Sequence, residues 1–184
     1  MKQAFLILVV AGSFCSCNSS DQASANDTDE TKVAAATDTT AMNYAYTIEK
    51  PDQWVTGSRE NTRMVLASLK NWENGDMKAA INDFADTVKL EFDGYEAKLP
   101  RDSVMVMFQN ERKMVKSVQV IMDDFESVKS KDGTKEYVSL WYKQKKQDLK
   151  DKWDSLEVMD DLLIKNGEIR SIDEKTRHYP AKKM

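Results

Sequence analysis

From Ser58 to Asn74 the chain reads SRENTRMVLASLKNWEN, and apolar Val65, Leu69 and Trp72 recur at helical spacing, with Leu66 beside them. Ser58 is placed to cap this helix at its start, and Gly75 to end it in a left-handed turn. Asp76 caps a second, short helix, MKAAINDFA, whose Met77, Ala80, Ile81 and Phe84 form one stripe. The period then changes. In TVKLEFD, Val88, Leu90 and Phe92 point one way and Lys89 and Glu91 the other, which predicts a half-buried strand. Asp93-Gly94 marks a turn, and Pro100 with Asp102 starts a third helix over SVMVMFQNERKMVKS. Val104, Phe108, Glu111 and Val115 share one face of it, with Met105 and Arg112 on the adjoining rows. Its valines are poor helix formers, so packing must support it.

The remainder alternates. VQVIMDDFESV, EYVSLWYKQ, WDSLEVMDDLLIK and EIRSIDEKTRHY predict four strands of an antiparallel meander. Asp132-Gly133 and Asn166-Gly167 are hairpin signals, because both central residues of a type I′ turn need positive φ. KQKKQDLKDK, residues 143–152, predicts an extended hairpin tip between the second and third of these strands. A two-residue turn at Asn166-Gly167 sets Ile164 opposite Ile169, Leu162 opposite Ser171 and Asp160 opposite Asp173. A similar turn at Asp132-Gly133 gathers Ile121, Phe125, Val138, Leu140 and Tyr142 on one face, with Met122, Val128, Tyr137 and Trp141 on the other. Both faces are partly apolar. One can cover the helices; the other calls for a partner, a second subunit or the N-terminal arm.

Helix, short helix, strand, long helix and four strands make an α+β order, with helices on one face of a curved sheet. NWENGDMKAAINDFADTVKLEFDG resembles the opening of the NTF2-like superfamily, including its SnoaL-like branch. The helix break is Asn74-Gly75-Asp76 and the strand entry Phe84-Ala85-Asp86. NGEIRSID is similar to that group's last hairpin and strand, so the resemblance spans roughly residues 56–180. It implies a cystatin-like cone: a bent antiparallel sheet around the long helix, preceded by two helices and open at one end. Some enzymes of this group, ketosteroid isomerases and polyketide cyclases among them, use a pocket carboxylate just after the first strand. Asp93 is the nearest match, although Gly94 stands where those enzymes usually carry proline.

The first residues follow another pattern. MKQAFLILVVAGSFCSC has Lys2, an apolar run from Ala4 to Val10 too short to span a bilayer, then small residues and the chain's two cysteines. FCSC resembles a bacterial lipobox, with Ser16 suited to the position before a lipidated Cys17, whereas bulky Phe14 does not suit Cys15. Residues 1–16 then form a lipoprotein signal peptide. Residues 17–41 are the lipidated cysteine and a tether with no aromatic and almost no large aliphatic residue. Residues 42–55, with Pro51 limiting any strand, form an N-terminal arm, and 56–184 the NTF2-like domain. Acyl chains at Cys17 anchor such a chain to the bacterial envelope membrane without spanning it. Asn18, by analogy with sorting in enteric bacteria, points to the outer membrane, with the periplasmic side as the wider expectation.

Net charge is −4, from 27 basic and 31 acidic residues, which disfavours a nucleic-acid surface. A single histidine, His178, and no cysteine beyond the lipidated one give no metal set, and no glycine cluster builds a phosphate or dinucleotide loop; no cofactor is expected. Lys143, Lys145, Lys146, Lys150 and Lys152, interrupted by aspartates, read as a solvated tip, with contact to anionic lipid headgroups as the alternative. Met64, Met77, Met105 and Met107 lie on helices that would line the cone, where thioethers fill gaps or accept varied apolar ligands.

The catalytic candidates are therefore Asp93 and the opposed pair Asp160 and Asp173. Opposed like charges destabilise unless one carboxyl holds a proton or a cation sits between them. The simpler readings are a turn aspartate at Asp93 and a solvated sheet end at Asp160 and Asp173. The chain is expected to be a lipid-anchored, non-catalytic module that binds a small apolar ligand in the cone or another protein, with the sheet as a candidate homodimer face. The alternative is a small ketosteroid-isomerase-like enzyme working through these carboxylates.

Overall fold

The computed structural model describes residues 44–49 and 53–178. The signal segment, Cys17 and the tether lie outside the described residues. The chain divides into residues 1–45 and 46–184, and all described secondary structure belongs to the second unit.

A three-residue strand, β1 (Trp54–Thr56), precedes helix α1 (Arg59–Asn74). The Ser58 side chain accepts from the Asn61 amide, and Gly75 closes the helix at φ +85°, as the sequence predicts. Asp76 caps α2 (Met77–Ala80) by accepting from the Ala79 amide. This helix is shorter than its apolar stripe implies. Ser68 of α1 donates to the Ala80 carbonyl at 2.6 Å, ending α2, and Phe84 already opens strand β2 (Phe84–Phe92). Phe84 and Ala85 are both buried, so no alternation marks the strand's start.

The turn at Asp93-Gly94 leads into a strand the pattern does not announce, β3 (Tyr95–Pro100). β3 is a sheet edge with a largely exposed surface, and its residues carry little apolar period. Helix α3 (Arg101–Lys113) follows without a break and buries Val104 and Phe108. Val115, expected on this helix, instead begins β4 (Val115–Ser130). β5 (Glu136–Asp148), β6 (Trp153–Lys165) and β7 (Glu168–His178) complete the meander.

The sheet order is β1-β4-β5-β6-β7-β2-β3. Five pairings are antiparallel, but β2 lies parallel to β7, which corrects the all-antiparallel expectation. Parallel neighbours need a long crossover, and α3 with the meander supplies it. α1 and α3 pack on the sheet's concave face around Val65, Phe84, Val88, Leu90, Val104 and Leu140.

Two single-residue bulges decide which side chains face inward. On β4, Asp123 is extra: Phe125 still opposes Leu140, but Met122 now opposes Tyr142 and Ile121 opposes Lys143. Met122 thus joins the core and Ile121 leaves it, reversing the expected faces of both. On β7, Arg170 is extra. Ile164 faces Ile169 as expected, but Leu162 then faces Ile172 and Asp160 faces Glu174.

The basic run is not a loop. β5 continues through it as far as Asp148, and the turn itself is only residues 149–152, just before β6, where the Asp148 carboxylate accepts from the Lys150 and Lys152 amides.

Candidate functional site

The inner face of β5 runs Val138, Leu140, Tyr142, Gln144 in alternate positions, changing from apolar to polar along one strand. Beside it β6 presents Asp160 and Leu162, and β7 presents Ile172 and Glu174. α1 and α3 stand over these strands and leave a cavity of about 550 Å3, within the range of small-ligand sites. Its walls are mainly apolar and aromatic, with Leu69, Phe84, Phe108, Leu140 and Leu162 contributing. Glu111, Tyr142, Gln144, Asp160 and Glu174 give it a polar side.

Asp160 is only 6% exposed. Its Oδ2 accepts from the Tyr142 hydroxyl at 2.8 Å, while its Oδ1 is buried without a hydrogen-bond partner among the described residues. Burial first, and the facing Glu174 carboxylate second, push the Asp160 carboxyl up to about 8, against which the Tyr142 bond works. Glu174 is raised too, again chiefly by burial, with Lys146 opposing and Glu111 adding to the rise. Burial and the adjoining Asp160 hold the Tyr142 phenol well above its ordinary range, so it stays a donor. Near neutral pH the pair therefore retains a proton, and Asp160 is a neutral acid inside an apolar chamber.

At the rim, Lys146 extends from β5 to Glu111 of α3, Nζ to Oε1 at 2.9 Å, and its ammonium lies 5.7 Å from the centre of the Trp72 ring. It is thus not part of a solvated tip. Even-numbered residues of β5 face inward, and Lys146 continues the row of Tyr142 and Gln144.

The other predicted residues lie elsewhere. Asp93 is exposed in the β2–β3 turn. Its Oδ2 accepts from the Thr176 hydroxyl at 2.6 Å and the Thr176 amide at 3.3 Å, tying β7 to the turn rather than serving its own loop or the cavity. Asp173 is on the outer face opposite Asp161, not Asp160. There Lys175 Nζ lies 2.7 Å from Asp173 and 4.0 Å from Asp161, while Ser139 donates to Asp161. His178 is an exposed residue of β7. Of the four methionines, only Met107 lines the cavity; Met77 is buried in the core, and Met64 and Met105 pack against it half-buried. Glu174 and Gln144 escaped the sequence reading. Gln144 was legible by extending the β5 alternation two residues, but Glu174 was hidden by the Arg170 bulge. No group of three or more histidine, cysteine or acidic side chains arranged for a metal occurs among the described residues.

Solved structures with this architecture are numerous. An NTF2-like protein from Burkholderia pseudomallei superposes with a TM-score of 0.53 at 12% identity, covering 65% of this chain and 92% of that one. The fold is NTF2-like. AusH from Aspergillus nidulans aligns over 67% of this chain and 87% of its own, with a TM-score of 0.54 and 15% identity. An LEH-like epoxide hydrolase of M. tuberculosis aligns over 64% and 83%, at 0.52 and 15%. At such identities the likeness concerns the NTF2-like frame alone. No protein-family model and no curated protein matches the sequence.

Proposed function

We propose that the cavity between α1, α3 and the inner sheet face is a small-molecule binding site for a mainly apolar molecule with one polar end, received by Asp160, Glu174 and Tyr142. The observation that carries this is Asp160 Oδ1, a buried and unpartnered acceptor or acid on the polar side of a mainly apolar chamber. Such an atom costs roughly 1–3 kcal/mol, and a ligand that bonds to it recovers that cost. Native mass spectrometry of the domain purified from its own host should find a co-purifying small molecule that Leu140→Trp, filling the chamber, excludes. A bare chain mass for wild type and variant alike would overturn the reading.

A catalytic reading is favoured by one further feature. A carboxyl still protonated near neutral pH, paired with a second carboxylate, can donate a proton while its neighbour accepts one. The NTF2-like frame of the M. tuberculosis epoxide hydrolase is compatible with that use. A molecule consumed by wild type but only bound by Asp160→Asn would make the site an enzyme's; one recovered unchanged from both would make it a binder's.

In this reading the domain is held at a bacterial envelope membrane by lipid on Cys17, on the strength of FCSC and the apolar run before it. Labelled palmitate should enter wild type and not Cys17→Ala.

A further inference from the structure

The cavity's charge is one-sided. Glu111, Asp160 and Glu174 line it, and no lysine, arginine or histidine does so among the described residues. Six of the lining side chains are aromatic: Trp72, Phe84, Phe92, Tyr95, Phe108 and Tyr142. Ring faces attract cations, and carboxylates complete the attraction where water is excluded. The rim already holds an ammonium in this way, since Lys146 rests near the Trp72 ring and against Glu111. Farther in, Asp160 stands opposite Glu174 with its Oδ1 unpartnered, and the Lys146 ammonium acts on the pair from the rim, through Glu174.

We propose that the polar end received by Asp160 and Glu174 is a protonated amine, so that the ligand is a lipophilic cation with its apolar body against Leu140, Leu162 and Phe108. The inference rests on the cavity being a small-molecule site. A neutral hydroxyl or carbonyl can bond at the Asp160 carboxyl but leaves the pair's retained proton where it is. An ammonium bonds to Oδ1 and brings the positive charge that the retained proton otherwise supplies, so it can take that proton's place between the two carboxyls. An anion meets three carboxyls, and the Lys146 ammonium at the rim is already paired with Glu111.

Charge bookkeeping supplies the signature. With Asp160 raised to about 8, the empty site is protonated at pH 7, and an incoming ammonium displaces that proton. The groups that bear on Asp160 are Glu174 of β7, Tyr142 of β5, and Asp161 and Asp173 through the sheet; those that bear on Glu174 are Lys146 of β5, Glu111 of α3 and Asp93 of the β2–β3 turn. Lys146 and Glu111 neutralise each other at the rim, which leaves Asp160 and Glu174 as the proton store.

The test uses the full chain and three probes with one apolar body: 4-phenylbutylamine, 4-phenylbutanol and 4-phenylbutyrate. Calorimetry at pH 7 in two buffers of different ionisation enthalpy should give the amine at least tenfold tighter than the alcohol, with close to one proton released per amine and none per alcohol. The carboxylate should bind weakest. Asp160→Asn should bring amine and alcohol within about threefold and abolish the proton release; if that variant does not fold, Glu174→Gln should reduce both effects. Alcohol or carboxylate binding as tightly as the amine, without proton release, would overturn the cation while leaving the small-molecule site standing. Failure of all three probes to bind would overturn both.

Discussion

Asp160 and Glu174 face one another across β6 and β7 because Arg170 is an extra residue in the ladder. A regular hairpin from Asn166-Gly167 would have put Asp173 there. The bulge instead sorts three aspartates and a glutamate into two opposed pairs, one on each side of the sheet. Opposed like charges have two remedies, and the molecule uses both. The inner pair keeps a proton; the outer pair, Asp161 and Asp173, shares Lys175.

The inner remedy makes stability depend on pH. Asp160 rises from 3.8 to about 8 on folding, so between those values the folded chain holds a proton that the unfolded chain has lost. Stability contributed by that proton is full below about pH 4 and lost as pH climbs through 8. At about 1.4 kcal/mol per pKa unit the loss amounts to several kcal/mol. Asp160→Asn keeps an acceptor for Tyr142 and has no charge to bury. It should be clearly more stable than wild type at pH 9, and close to it at pH 4. Urea unfolding at pH 4, 7 and 9 reads this directly, and parallel profiles for the two proteins would contradict it.

Two glycines separate backbone strain from crowding. Gly75 has φ +85°, and a Cβ there would meet only Arg112 Nε at 3.9 Å. Gly75→Ala should cost about 1 kcal/mol, all of it from the left-handed backbone. A Cβ on Gly57 would lie 2.0 Å from Ser127 Oγ and 3.0 Å from the Ser127 carbonyl carbon. Gly57→Ala should cost about 1–3 kcal/mol and loosen β1 from β4. Amide exchange in Trp54–Thr56 should quicken in the Gly57 variant and not in the Gly75 variant.

What the sequence disclosed follows from where period and capping agree. Ser58, Gly75 and Asp76 announced their helix ends because each does one local job. The α3 face also carried Glu111 alongside Val104 and Phe108, and Glu111 does line the cavity. Register was a different matter. Asp123 and Arg170 each shift the pairing by one residue, and nothing local in DDF or EIRSI signals a bulge. A two-fold period has no tolerance for such a slip, so Ile121, Met122, Asp173 and Glu174 were all assigned to the wrong face or missed. β3 was hidden for another reason: an exposed edge strand need not alternate.

Glu136 illustrates a long-range cap. It is buried at the start of β5, and its Oε1 accepts from the Ser58 amide at 2.7 Å, the backbone donor at the head of α1. Glu136→Gln retains an oxygen for that amide and should cost little. Glu136→Ala leaves the N–H without this partner and should cost about 1–3 kcal/mol. Denaturant midpoints of the two variants separate a hydrogen bond from a bare charge. Equal losses would mean that the charge, not the bond, supports the helix.

The outer remedy is electrostatic and exposed, so its energy is small and its salt dependence is the more telling observable. Lys175 is held in its charged form first by the Asp173 bond and then by the fields of Asp173 and Asp161. Lys175→Met removes the cation and leaves two carboxylates opposite each other in the ladder. The expected loss is about 0.5–1 kcal/mol at pH 7 and low salt. It should shrink in 1 M salt, where the screening length falls to about 3 Å. Adding Asp173→Asn to Lys175→Met should restore most of the stability, since one neutral amide removes the repulsion as the lysine did. A double variant no more stable than Lys175→Met alone would mean that the lysine's methylenes, packed along the strand, matter more than its charge.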